Sequence, residues 1–149
     1  MFEDKVKSKG TVTFVKTSPD GIEERQEFNL LTDVGKDFIT AKLIGLAGND
    51  LTHMALGTDA TAAAGGQTAL GAETGRVGMD SAAQVTTTVT NDSAQFVATF
   101  DAGVATGAIT EAGLFDAASA GSMPARTSFP VVNKQELDSL AVTWKIVIL

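Results

Sequence analysis

The closing stretch, Leu140-Ala141-Val142-Thr143-Trp144-Lys145-Ile146-Val147-Ile148-Leu149, constrains the fold more than any other part of the chain. Leu140, Val142, Trp144, Ile146 and Ile148 form an unbroken apolar row at a period of two, which is the spacing of one face of a β-strand. The opposite row begins small and polar and ends in Val147 and Leu149. A strand apolar on both faces toward its end belongs in the middle of a sheet, where a neighbour covers each side. Free ends usually fray, so the Ile148-Leu149 end is expected to be held by the sheet or by a neighbouring subunit.

The rest of the chain extends that reading. Thr11 to Lys16 is β-branched and aromatic, Ser18-Pro19-Asp20-Gly21 has turn chemistry, and Ile22 to Phe28 is polar with apolar ends. Together they predict an edge hairpin. Leu51–Gly57, Gln84–Thr90, Gln95–Phe100, Ala108–Asp116 and Met123–Phe129 supply further strands, with Asn91-Asp92 as a turn and Pro130 breaking the ladder after Phe129. Low-bulk residues from Thr58 to Gly66 read as a loop, and Thr68–Glu73 as a possible single turn of helix.

One strong helical signal stands apart. Thr32 or Asp33 can cap a helix whose core face is Val34, Phe38 and Ala41, with Ile39, Leu43 and Leu46 alongside. Gly45 and Gly48 stop it. The expected fold is therefore mainly β: a two-sheet antiparallel β-sandwich, jelly-roll-like, with roughly seven to nine strands and one α-helix near residues 32–45. The 149 residues suit a single domain, with residues 1–10 as a possible charged N-terminal arm carrying Lys5, Lys7 and Lys9.

The chemical inventory is small. There is no Cys and no Tyr, and His53 is the sole imidazole. Disulfide, thiolate and zinc-knuckle chemistry are thereby excluded, and general acid–base work has few candidates. A lone His beside Met54 and Leu56 reads as a partly buried side chain. Gly66 and Gly71 lack the Lys-Ser/Thr of a phosphate loop, and no serine has a Gly-x-Ser-x-Gly context. No apolar run has the length of a membrane span, and the start lacks a signal peptide's apolar stretch. No metal, cofactor, nucleic acid or membrane is expected.

Charge is unevenly distributed. Eighteen acids face eleven bases. Residues 1–45 hold seven of the bases, while residues 46–125 hold eight acids and only Arg76. Such an excess of acid argues against a phosphate-gripping protein. Within the base-poor region Glu111 sits in an otherwise apolar strand. Its carboxylate either faces solvent or is buried against a cation, and the nearest cations are Arg76 and Arg126. A buried Glu–Arg pair that sets strand register is the expected structural role.

The order of motifs resembles a group of small tailed-bacteriophage virion proteins, variously described as head-decoration, structural or tail-fibre proteins. The resemblance rests on Phe28-Asn29-Leu30-Leu31-Thr32-Asp33-Val34-Gly35-Lys36-Asp37-Phe38-Ile39, on His53-Met54-Ala55-Leu56-Gly57-Thr58 through Thr68-Ala69-Leu70-Gly71-Ala72-Glu73 and Arg76, on Ile109-Thr110-Glu111-Ala112-Gly113-Leu114-Phe115, on Ala125 to Lys134, and on Leu140 to Ile148. Asp59 and Gln67 depart from the pattern, standing where it has Gly and Asp. The resemblance carries no catalytic residues. It implies a non-enzymatic building block: an oligomeric capsid decoration (cement) protein, expected as a homotrimer bound to the phage major capsid protein on the virion surface and assembled in the host bacterial cytoplasm. A tail-fibre, collar or baseplate part bound to other tail proteins is the alternative, ahead of a carbohydrate-binding module.

Overall fold

The computed structural model describes residues 5–46 and 48–149. In chain order the elements are β1 (Ser8–Ser18), β2 (Gly21–Leu31), α1 (Asp33–Leu43), β3 (His53–Gly57), β4 (Glu73–Gly78), β5 (Ser81–Val85), β6 (Ser93–Phe100), β7 (Gly107–Phe115), β8 (Ala125–Lys134) and β9 (Ser139–Ile148). The chain is mainly β with one helix, and every strand pairing is antiparallel. The strands join into one nine-stranded sheet ordered β4-β3-β7-β8-β2-β1-β9-β6-β5.

That sheet curls into a half-barrel. The halves meet at a narrow seam, where β2 pairs with β8 only through Leu30↔Arg126 and Leu31↔Ala125. Beyond it the two strands diverge, so that Phe14 of β1 meets Phe129 of β8 across the interior with ring centroids 4.4 Å apart. One core holds both halves: Val12, Phe14, Val142 and Trp144 from one, Met54, Leu56, Ile109 and Leu114 from the other. Edge strands β4 and β5 follow each other in sequence. Between them Met79 N–H donates to Thr52 O (2.9 Å) and Asp80 N–H to Val97 O (2.7 Å), which ties both edges at that corner.

Strand β9 lies between β1 and β6. Leu140, Val142 and Trp144 are fully buried, Ile146 is half-buried and Ile148 is exposed. The chain end is held by Leu149 N–H on Lys7 O (2.7 Å) and Lys7 N–H on Leu149 O (3.1 Å). The ladder thus takes in Ser8–Gly10 of the expected arm, and residues 1–4 of that arm lie outside the described residues. The first hairpin turns on Pro19-Asp20, with Gly21 at φ +138°, a value that favours glycine.

Four local expectations need correction. The first hairpin is not at a sheet edge: β1 and β2 lie between β9 and β8, although β2 meets β8 only at Leu30 and Leu31, which leaves most of its polar length without a ladder partner on that side. The Thr-rich stretch 86–92 is a loop, and β5 comes earlier and is short. The Asp92 carboxylate accepts from the backbone N–H groups of Thr87, Thr88 and Val89, each at 2.8 Å, which offers those amides an alternative to a ladder. Residues 68–73 form no helix; they turn into β4. Pro130 does not end β8, which runs on to Lys134. At that point β8 has no β2 partner, and its pairing with β7 shifts register between Ile109 and Glu111, so proline's missing N–H breaks no ladder bond.

Candidate functional site

Each open end of the half-barrel has its own chemistry, and α1 plugs one of them. The helix N-terminus is pinned. Thr32 is the N-cap, its Oγ1 accepting from Gly35 N–H (3.1 Å) while its own hydroxyl and N–H reach the Met123 and Pro124 carbonyls. Gly35 packs so closely that an added Cβ would overlap Pro124 O and crowd the Leu31 side chain. The C-terminus closes in a Schellman motif: Leu46 N–H donates to Ala41 O (2.9 Å), Gly45 N–H donates to Lys42 O (3.2 Å), and Gly45 has φ +68°.

Between these anchors the helix packs loosely. Val34, Phe38 and Ala41 are only half-buried, and Leu43 (79%), Ile44 (75%) and Leu46 stand in solvent. A cavity of about 500 Å³ opens on one side, toward Phe96 and Ser93 of β6. A groove of about 630 Å³ opens on the other, toward Val6, Lys7 and Leu30. Leu31, Ile39, Ile146 and Ile148 line both. Around this end Phe28 and Leu149 are also exposed. The Lys9 ammonium sits 5.2 Å from the Phe28 ring centroid, and Lys42 bonds Asp50 (2.8 Å) and Gly48 O. The Asp50 carboxyl is held below its usual range by that Lys42 contact.

The loop after β5 forms part of the same rim. Ser93 Oγ donates to Asp92 Oδ1 at 2.6 Å. That hydroxyl, followed by the Val89 amide, holds the Asp92 carboxyl far below the usual carboxylate range.

The interior of β7 carries a different device. Glu111 is fully buried, and Arg126 Nη2 (2.9 Å) and Nε (3.2 Å) both donate to its Oε2. The same carboxylate accepts from the backbone N–H groups of Asp59 (3.2 Å), Gly71 (3.0 Å) and Ala72 (2.8 Å). Arg126 Nη1 continues to Thr61 O and Gln67 Oε1. The cluster therefore fastens the low-bulk 58–72 loop onto the sheet. Gln67 and Asp59 take part: Gln67 Oε1 accepts from Ala64 N–H as well as from Arg126, and Asp59 accepts from the Thr61 amide and hydroxyl. Those Thr61 bonds lower the Asp59 carboxyl.

Arg76, the other cation weighed for Glu111, is elsewhere. It forms a bidentate pair with Glu73 (2.7 and 2.9 Å), donates to Ala117 O and Ala120 O, and lies 3.6 Å above the Phe115 ring. His53 Nδ1 is 2.8 Å from Thr52 Oγ1, and neither Asp50 nor Asp59 meets it. Among the described residues no group of three metal-ligating side chains converges. Asp116 accepts from Ser122 N–H and does not approach Glu111 as a second catalytic carboxylate would. Trp144, the one indole, is buried and its ring is out of reach of a sugar.

The rim was only partly legible in the sequence. Helical spacing marks Leu43 and Leu46 as core, whereas the structure leaves them outside. Comparison with protein-family models, curated proteins and solved structures finds no match for this chain.

Proposed function

We propose that this protein is a non-enzymatic structural component of a tailed-bacteriophage virion: an oligomeric decoration protein that binds the major-capsid lattice. The carrying observation is the apolar rim at the helix-capped end. Leu43, Ile44, Leu46, Phe28, Ile148 and Leu149 are exposed around two grooves. Of these, Leu43 and Ile148 line the grooves themselves, and large apolar side chains left exposed beside a groove suit an interaction site on a folded protein. It is mounted on a β-frame stitched by buried ionic and hydrogen-bonded contacts, which suits a part that binds by area and repetition. The resemblance of its motif order to that of small tailed-phage virion proteins supports the same reading. In this reading the curled halves act as the two layers of a sandwich-like brick, and three bricks assemble at three-fold positions.

Counting copies tests it. Quantifying this chain against the major capsid protein in purified particles should give hundreds per virion, on the head. A few to a few dozen, on tails, would replace decoration by a tail-fibre, collar or baseplate role. Absence from purified particles would remove the virion reading altogether.

A further inference from the structure

The end of the half-barrel opposite α1 is built from turns, and its chemistry complements the groove described above. The β8–β9 turn is rigid: Gln135 N–H donates to Asp138 Oδ2 (2.8 Å), Asp138 N–H to Gln135 O (3.1 Å), and Gly103 N–H to Glu136 O (2.8 Å). At its tip Leu137 is 73% exposed, with Glu136 and Asp101 exposed beside it and Asp20 at the neighbouring hairpin tip. The cations at this end are engaged inward. Lys134 is buried and donates to Asp101 O, and Lys16 bonds Glu23 and Asn133 O. The turn therefore presents one apolar side chain in a negative field.

The 630 Å³ groove beside α1 has the opposite character. Among the described residues, Val6, Leu30, Ile39 and Ile148 line it, Lys7 and Lys36 flank it, and no carboxylate is in its lining. The Lys36 ammonium is bonded to Asp33 (2.8 Å), while Lys9 adds charge one strand-step further on. We propose that the Glu136-Leu137 turn of one copy seats in the groove of a second copy, Leu137 entering among Val6, Leu30 and Ile148 with Glu136 against Lys7. A turn already held in shape loses little freedom on docking, and the opposed charges set its orientation. The interface is heterologous, so copies join head to tail and a three-membered ring is one way for them to close. The inference rests on the oligomeric part of the function proposed above and supplies its surfaces.

Two end-specific variants test it by sedimentation at low salt and submillimolar concentration. Val6→Asp with Lys7→Asp spoils the groove, and Leu137→Asp spoils the turn; both sites are exposed, so melting should stay near wild type. Wild type should sediment above the single-chain mass and each variant as a single chain. An equimolar mixture should form a one-to-one dimer and nothing larger, because each partner retains only one working end. A wild type that stays a single chain, an oligomer that either folded variant leaves intact, or a mixture that remains monomeric overturns the proposal. If the groove variant loses its melting transition, Leu137→Asp decides alone. Particle copy number is a separate readout, so the virion reading can fail while the head-to-tail contact stands, and the reverse.

Discussion

Two buried side chains, Trp144 and Glu111, tie distant parts of the sheet and its loops together by different chemistry. Trp144 lies in the core with no exposure, its β9 row flanked by β1 and β6. The Asn29 amide, oriented to satisfy its neighbours, accepts from Trp144 Nε1 (3.2 Å) and donates to Gly10 O (3.1 Å). A Cβ at Gly10 would displace that amide from its place. Trp144→Ala should therefore cost about 3–5 kcal/mol in urea unfolding, combining lost transfer energy with a cavity. A soluble variant with an unchanged midpoint would contradict the placement. Glu111→Gln acts by another route. It leaves the buried Arg126 guanidinium with only the longer Asp59 Oδ2 contact (3.9 Å) as an anion and gives three loop amides a weaker acceptor. Breaking a buried pair from one side costs about 3–5 kcal/mol, so the melting temperature should fall; an unchanged one would mean that the carboxylate does not hold the loop. Arg126 as the partner was legible in sequence only as one of two cations in a base-poor region. The three amides come from residues 39 to 52 positions away, a separation that no local pattern encodes.

At the level of elements, strands with a clean period of two and covered neighbours were readable, and segments governed by single side chains were not. The β1–β2 hairpin and β9 follow from alternation and turn chemistry. Helix α1 follows from its cap and stop, yet its apolar stripe says nothing of how completely the barrel end covers it. The 86–92 loop has high β-propensity but no apolar row to bury, and one carboxylate organises it instead. Its pH dependence follows from sign. Asp92 is held below its usual range in the folded chain, so the contribution of its bonds is fully present above the unfolded carboxylate pKa of about 4 and is lost as pH falls through that value toward the lower folded one. Amide exchange at Thr87, Thr88 and Val89, corrected for intrinsic rate, should lose protection on that descent, and Asp92→Asn should remove it already at neutral pH. Protection that persists in the variant would assign the loop's order to something else. The helix offers a contrast: Leu43→Lys should change stability by no more than about 0.5 kcal/mol because the side chain is in solvent, whereas Gly35→Ala should cost roughly 1–3 kcal/mol by forcing α1 off the Pro124 carbonyl. Equal effects of the two on the urea midpoint would refute the loose seating of the helix.

The whole molecule is closed by its most distant parts. Ser8 pairs with Ile148, and β9 must arrive before β1 and β6 share a sheet. The two halves then depend on the two-residue β2–β8 seam and the common core for their relative placement. Half of the pairings, β1–β9, β2–β8, β3–β7 and β6–β9, join strands that are not consecutive in sequence, and the closure entropy of the chain between them is lost before the contacts repay it. Folding should accordingly be slow for the chain's size, on the order of milliseconds to seconds or longer. The single indole gives the readout, since Trp144 passes from solvent to full burial only when β9 inserts. Stopped-flow refolding followed by its fluorescence should show the main change in that slow range, concurrent with recovery of far-ultraviolet β signal. Removing residues 140–149 should abolish the cooperative transition, because it deprives β1 and β6 of the strand between them. Microsecond burial of the indole would contradict the slow insertion of β9, and a truncated chain that still unfolds cooperatively would mean that the sheet assembles without the strand between β1 and β6.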